Sequence, residues 1–151
     1  LYGSGTPQFA GTFVVRYLID YWFLGANLNA FGRNYIDVAP ARRMEGIYNT
    51  VDPTLPETMD TYYAMTTQER IGSACTLDLS VGKIFYLRNR QSINFNLSVN
   101  NVLNKRDIRT GGYEQARVFA SDGALVNPAL FPNKYYYMQG INCFANISYR
   151  F

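Results

Sequence analysis

Side-chain polarity alternates with a period of two along most of this chain, and this period restricts the possible folds more than any other feature. The clearest stretch is 91–103, where apolar residues alternate with amides and hydroxyls. Its apolar members are Ile93, Phe95, Leu97 and Val99, and its polar members are Ser92, Asn94, Asn96, Ser98 and Asn100. Such alternation is typical of a β-strand with one apolar and one polar face. The sequence therefore predicts an all-β fold.

The alternation recurs and predicts an antiparallel meander of five long strands. The predicted strands are 9–18, 22–34, 70–82, 92–102 and 136–150. The predicted connections alternate in length, because those near 18–21 and 83–91 are short and those at 35–69 and 104–134 are long. Structureless loops longer than about 12–15 residues are uncommon in compact soluble domains. Two such loops on the same side of one sheet therefore need a specific explanation.

Two architectures can accommodate such a sheet. In a soluble sandwich or barrel the apolar faces point inward, whereas in a transmembrane barrel they point toward lipid and the polar faces toward the lumen. Periodicity alone does not separate these two. Strand length, the alternation of short turns with long loops, and aromatic residues at strand ends all favour the membrane barrel. The aromatic residues at the strand ends include Tyr17, Trp22, Tyr35, Tyr149 and Phe151.

Composition excludes several functional classes. The chain of 151 residues contains no histidine, which excludes Ser–His–Asp triads and histidine-based zinc sites. Its net charge of +3 is too small and too dispersed to predict a nucleic-acid partner. The acids of the first long loop have irregular spacing, and we interpret them as a solvated surface; they are Glu45, Asp52, Glu57 and Asp60. We predict no enzyme activity, catalytic residue, metal site or cofactor.

Two sets of residues are candidates for contact with a ligand or partner. The first is a polar face that suits a wet lumen, where side chains could bond water, a plug or a passing solute; it comprises Asn94, Asn96, Asn100, Asn142, Asn146 and Asp78. The second set is aromatic and lies in the long loops; it comprises Tyr48, Tyr62, Tyr63, Tyr113 and Phe119. These rings could stack on sugars, clamp a peptide or pack the loops together. We interpret Lys83, Arg88 and Arg90 as solvated residues of a short turn.

The two long loops carry opposite net charge. Residues 35–69 hold six acids and two bases, which gives −4, and residues 103–134 hold five bases and three acids, which gives +2. Opposite charges at one rim would attract and order the two loops, or would offer a polarised surface to a partner.

The C-terminal part of the chain resembles known outer-membrane proteins. The ending Ile147-Ser-Tyr149-Arg-Phe151 is similar to the C-terminal signature of bacterial outer-membrane barrels, and 98–107 resembles the penultimate strand of TonB-dependent receptors. Segments 100–115 and 131–140 resemble SusC-type receptors of Bacteroidota. This resemblance implies a barrel of 22 strands with an N-terminal plug. It also implies that the barrel-assembly machinery recognises Ile147, Tyr149 and Phe151.

The same resemblance implies a transport function in the outer membrane of a Gram-negative cell. Such receptors import a glycan, peptide or similar solute with energy from TonB and its ExbB–ExbD motor, and a SusD-type surface lipoprotein covers the loops. Residues 1–151 would be the C-terminal portion of the transmembrane barrel, surrounded by lipid, with the plug and the remaining strands outside this chain. The alternatives are a passive porin or adhesin-type barrel and a soluble ligand-binding β-barrel.

Overall fold

Eleven strands and two helices form within the described part of the computed structural model, which comprises residues 1–49, 52, 54–117, 120–121, 124–125 and 131–151. The strands are β1 Phe9–Ile19, β2 Trp22–Gly32, β3 Asn34–Tyr35, β4 Arg70–Ile71, β5 Ala74–Tyr86, β6 Ser92–Asn100, β7 Arg109–Tyr113, β8 Ala120–Ser121, β9 Ala124–Leu125, β10 Lys134–Tyr137 and β11 Asn142–Arg150. The helices are α1 Glu45–Tyr48 and α2 Pro56–Thr66, and short 3₁₀ segments lie at Pro40–Arg43 and Arg88–Arg90. No helix within these ranges has the length and hydropathy needed to cross a membrane.

The main sheet is a five-stranded antiparallel meander in the order β1-β2-β5-β6-β11. This order confirms the predicted fold class, which is mostly antiparallel β with five long strands. Two compact units divide the chain. The sheet unit comprises Gln8–Gly32, Ser73–Ile108 and Tyr137–Phe151, and the loop unit comprises Leu1–Pro7, Arg33–Gly72 and Arg109–Tyr136.

Five predicted strand boundaries are wrong by two residues or more. The third strand begins at Ala74 instead of 70 and extends to Tyr86, because Arg70–Ile71 pairs with Asn34–Tyr35 in a separate sheet. The last strand begins at Asn142 instead of 136, because Lys134–Tyr137 pairs with β7. The other two strands were predicted too long, because β2 ends at Gly32 instead of 34 and β6 ends at Asn100 instead of 102. Arg33 and Asn101 have positive φ angles of 53° and 50°, which interrupt the extended backbone.

The connections alternate in length as predicted. Asp20 and Tyr21 form the two-residue β1–β2 turn, and both have positive φ, as a type I′ turn requires. The β5–β6 turn closes with a hydrogen bond from the Leu87 backbone N–H to the Gln91 carbonyl (2.8 Å). Because consecutive strands are antiparallel, both short turns lie at one end of the sheet and both long connections leave from the other.

The register separates the two faces as predicted in the middle of the sheet, although the polar face also carries exposed large apolar side chains, namely Val14, Leu18, Phe23 and Phe144. Asn96 lies opposite Gly82 in β5 and Asn146 in β11, whereas Leu97 lies opposite Val81 and Ala145. The apolar face is exposed on much of β1, β2 and β11, whereas its β6 residues Ile93, Phe95, Leu97 and Val99 are half-buried. Its exposed large side chains are Phe9, Phe13, Val15, Tyr17, Ile19, Trp22, Leu24, Leu28, Leu79, Phe85, Ile147 and Tyr149.

Buried apolar side chains lie outside the five strands of the sheet. Within the described ranges they are Ile36, Ala39, Met65, Ile71 and Ile108. The first four belong to the loop unit. Ile108 belongs to the sheet unit, in the segment after β6. The long connections that we predicted as loops therefore contain helices and short strands with a small core of their own, whereas the sheet buries no large apolar residue.

A compact turn ends β6 and depends on the side chain of Asn101. This residue is 4% exposed. Its amide Nδ2 donates to the carbonyls of Lys105 and Gln139 (2.9 Å each), and its Oδ1 accepts from the Lys105 backbone N–H (3.1 Å). The Asn101 backbone N–H donates to Asp78 Oδ1 in β5 (2.8 Å). Asparagine tolerates positive φ better than most residues and can make all these bonds at once.

We predict that Asn101→Ala lowers the free energy of unfolding by about 2–4 kcal/mol, because it removes three hydrogen bonds and leaves buried partners unsatisfied. Asn101→Asp keeps the acceptor for Lys105 N–H but turns an acceptor-only carboxylate oxygen toward the two carbonyls, so it should cost at least as much. Chemical unfolding followed by far-ultraviolet circular dichroism measures both values. Equal stability of Asn101→Ala and the wild type would contradict this role.

Candidate functional site

The polar face of the sheet brings the predicted lumen residues together. Asn94, Asn96 and Asn100 of β6 lie directly opposite Ser148, Asn146 and Asn142 of β11. Two amide–amide hydrogen bonds join members of this set, from Asn100 Nδ2 to Asn142 Oδ1 (3.0 Å) and from Asn96 Nδ2 to Asn94 Oδ1 (3.3 Å). The β6–β11 part of this face is thus a ladder of neutral donors and acceptors, which suits contact with water or a polar solute, whereas Arg16 and Asp78 on the other strands are charged.

A depression of about 480 Å³ lies on this polar face. Its lining includes one residue or more from each of the five strands, among them Arg16, Asn27, Ser80, Asn96 and Phe144. Four spacings between five strands cover about 19 Å, so contact with all five indicates that the sheet curves around this face. A smaller depression of about 410 Å³ on the apolar side touches only β1, β2 and β5.

Glycines make room for polar side chains on this face. A Cβ on Gly82 would lie 2.5 Å from Asn96 Oδ1 and 3.2 Å from the Phe95 carbonyl, and a Cβ on Gly25 would collide with Ser80 Oγ. Gly82 therefore allows Asn96 to pack closely against β5, whereas the Ser80 hydroxyl could rotate away from a Cβ on Gly25.

Asp78 has a structural partner on each carboxylate oxygen. Oδ2 accepts from Asn29 Nδ2 (2.7 Å) and Oδ1 accepts from the Asn101 backbone N–H (2.8 Å). Asn29 also accepts from Thr12 (3.0 Å), which extends the network to β1. These bonds tie Asp78 into the sheet and the turn after β6.

The loop unit is organised around the ion pair of Arg43 and Glu114. Arg43 donates from both terminal nitrogens to the two carboxylate oxygens of Glu114 (2.6 and 2.9 Å), and Glu114 also accepts from the Ala39 backbone N–H (2.9 Å). The side chain of Glu114 is 2% exposed. The hydrogen bond to Glu114 raises the pKa of the Arg43 guanidinium, while burial opposes this change. Arg43 further donates to the Thr66 carbonyl at the end of α2 (2.5 Å).

A second polar centre of the loop unit forms around Glu69. Its carboxylate accepts from Tyr135 Oη (2.8 Å), Asn133 Nδ2 (2.8 Å) and Arg109 (3.4 Å). The Arg109 guanidinium lies 4.0 Å from the centre of the Tyr135 ring. The pair of Arg109 and Glu69 follows the predicted attraction between a basic and an acidic loop. In the more buried pair the roles are reversed, because the acidic loop contributes Arg43 and the basic loop Glu114.

Three of the predicted loop aromatics form one exposed cluster. The Tyr48 and Tyr62 rings are 5.6 Å apart in an edge-to-face arrangement, and Tyr63 lies 6.1 Å from Tyr62. Tyr113 is not next to them and pairs with Tyr136 (6.0 Å). Phe119 lies outside the described residues. Tyr48 and Tyr63 are more than half exposed and can present rings to a ligand.

The acids Glu45, Asp52, Glu57 and Asp60 do not assemble into a site. Among the described residues no group of three or more His, Cys, Asp or Glu side chains is placed to hold a metal ion. Asp52 accepts from the Thr54 hydroxyl (2.6 Å) and backbone N–H (2.8 Å), and these bonds lower the pKa of its carboxyl. These two bonds close a local turn, so Asp52 Oδ1 is already engaged by Thr54.

The C-terminal signature residues lie at the short-turn end of the sheet. Ile147 and Tyr149 point to the apolar face, opposite Phe95 and Ile93. The Tyr149 ring is 6.2 Å from the ring of Phe151, which is almost fully exposed. The signature thus forms an exposed apolar edge.

Sequence reasoning missed Arg43, Glu114, Glu69 and Lys83. Ion pairs between distant segments leave no local pattern in the sequence. The opposite net charges of the two long loops were therefore the only indication of Arg43, Glu114 and Glu69. Lys83 could have been placed correctly, because Val81, Lys83 and Phe85 continue the alternation beyond the predicted strand end at 82. It therefore lies in β5 on the apolar face, and its interpretation as a turn residue is wrong.

Comparison with family models, curated proteins and solved structures gives no match to this chain.

We predict that Glu114→Gln destabilises the loop unit by about 1–3 kcal/mol, because the partly buried Arg43 loses its carboxylate partner and keeps only neutral acceptors. Hydrogen exchange of 33–49 and 109–117 should accelerate while the sheet strands keep their protection. The matched control is Glu45→Gln, which changes an exposed glutamate near the same segment. If both variants exchange alike, Glu114 does not organise this unit.

Proposed function

We propose that this chain forms part of the wall of a transmembrane β-barrel that transports nutrients across an outer membrane. The observation that carries the proposal is the arrangement of the sheet faces, with exposed apolar side chains on one face and an amide ladder around a depression on the other. Moving a large apolar side chain fully out of water contributes about 1.5–3 kcal/mol. The twelve half-exposed apolar residues therefore represent on the order of 10 kcal/mol that lipid contact would supply.

Strand length supports the membrane assignment. β2 has 11 residues, which at about 3.3 Å per residue and a tilt of about 45° rise about 25 Å. The apolar band of outer-membrane barrels is about 25 Å tall. The placement of Trp22, Tyr149 and Phe85 at the short-turn end matches the aromatic girdle of such barrels.

The edges of the sheet favour a larger assembly. β1 and β11 are its two edge strands, and unpaired backbone groups are not tolerated in lipid. We propose that both edges pair with further strands of a closed barrel, which in the SusC-type family has 22 strands. The exposed edge of Ile147, Tyr149 and Phe151 supports recognition of the last strand by the barrel-assembly machinery.

The finer assignment rests on the resemblance to SusC-type TonB-dependent receptors. In this proposal TonB with ExbB–ExbD supplies energy through a plug, and a SusD-like lipoprotein covers the loops. Import of a glycan, peptide or similar solute would use the amide ladder and the loop unit. The exposed cluster of Tyr48, Tyr62 and Tyr63 supports the loop contact, because recognition residues commonly lie on loops held by a rigid scaffold.

Extraction and conductance together separate this proposal from its alternatives. We expect the protein to remain in the membrane fraction after an alkaline wash and to show no steady conductance in planar bilayers, because a plugged transporter is closed at rest. A passive porin would also remain in the membrane but would conduct constitutively. Recovery in the aqueous fraction without detergent would indicate a soluble β-barrel and contradict the membrane assignment.

A further inference from the structure

Lys83 is the one charged side chain on the apolar face of the five-stranded sheet, all of whose strand residues are described. It follows Leu79 and Val81 in the alternation of β5 and precedes Phe85. Its register partners are Trp22 in β2 and Phe95 in β6. A lysine on a lipid-facing surface is strongly unfavourable at the bilayer midplane and tolerated near the interface. The position of Lys83 along the strand direction, between the bilayer midplane and the interface, therefore decides what its ammonium group can contact.

That position is the short-turn end of the sheet. Trp22 directly follows the Asp20–Tyr21 turn, and the Ile84 backbone N–H donates to the Tyr21 carbonyl (3.0 Å). The next turn carries the exposed residues Arg88 and Arg90. Lys83 thus lies at the boundary between the apolar face and a basic turn, where a bilayer places its headgroups.

Two aromatic rings hold the ammonium group in place. Lys83 Nζ lies 4.4 Å from the centre of the Trp22 ring and 5.0 Å from that of Phe85. Cation–π attraction fixes the position of the group but uses none of its N–H donors. Neither ion pair of the described residues includes Lys83, and none of their oxygen atoms accepts a hydrogen bond from it. The donors are therefore available to an anion from outside the chain.

We propose that Lys83, Trp22 and Phe85 form a binding site for the phosphodiester headgroup of an anionic phospholipid. This inference rests on the proposed membrane location. Lys83 binds the phosphate, the two rings orient its Nζ, and the neighbouring apolar face contacts the acyl chains. Arg88 and Arg90 strengthen the local positive potential, which favours a net negative headgroup over a zwitterionic one.

The single tryptophan of the chain reports on this site directly, because it lies beside Lys83. The assembled barrel, with any tryptophan outside this chain replaced by phenylalanine, is reconstituted in bilayers that contain acyl-brominated phosphatidylglycerol or acyl-brominated phosphatidylcholine, and quenching of Trp22 gives their relative affinity. We expect about a fivefold preference for phosphatidylglycerol. Lys83→Gln should reduce the preference to the small part that Arg88 and Arg90 supply, and Lys83→Arg should keep most of it. Lys105→Gln is the control, because this lysine follows β6 at the opposite end of the sheet.

Each outcome has a separate meaning. Equal quenching by both lipids in the wild type, or an unchanged preference in Lys83→Gln, would overturn the headgroup site and leave the membrane assignment intact. No quenching by either lipid would contradict the membrane assignment itself. Loss of the preference on adding inorganic phosphate, but not on adding sodium chloride of equal ionic strength, would show that phosphate alone satisfies the site and would overturn its assignment to a lipid.

Discussion

The antiparallel hydrogen-bond ladder is the constraint on which the rest of this structure depends. It fixes the register of five strands, and the register fixes which side chains share a face. Leu97 and Asn96 are neighbours in sequence, yet the ladder places Leu97 in an apolar row with Val81 and Ala145 and Asn96 in a polar row with Gly82 and Asn146. Because neither face of the sheet buries a large apolar residue, its apolar surface needs a partner, and lipid is the partner we propose.

A different interaction organises the loop unit. Buried charges require partners and hydrogen bonds, and Glu114 has both in Arg43 and the Ala39 backbone N–H. These bonds join residues more than 70 positions apart in the chain. They give the long connections a fixed geometry, and the exposed tyrosine cluster of α1 and α2 depends on that geometry.

The sequence predicted the sheet well because alternation is a local signal. The five strands, their order, the short turns and the polar face of Asn94, Asn96 and Asn146 all follow from it. It could not predict where strands change partners, so Arg70–Ile71 and Lys134–Tyr137 were assigned to the wrong strands. Helix α2 and the ion pair of Arg43 and Glu114 were missed because tertiary contacts determine them. Tyr113 was grouped with the other loop aromatics by residue type and loop position alone, and in the structure it pairs with Tyr136.

The orientation of β6 relative to lipid and water tests the central claim most directly. Spin labels are placed singly at 92–100 in a background where Cys75 and Cys143 are replaced by alanine, and collision rates with oxygen and with a water-soluble nickel complex are measured in membranes. We predict that oxygen accessibility peaks at Ile93, Phe95, Leu97 and Val99, and that nickel accessibility peaks at the residues between them. Oxygen and nickel accessibilities that peak at the same residues, or nickel accessibility at Leu97 equal to that at Asn96, would contradict the account.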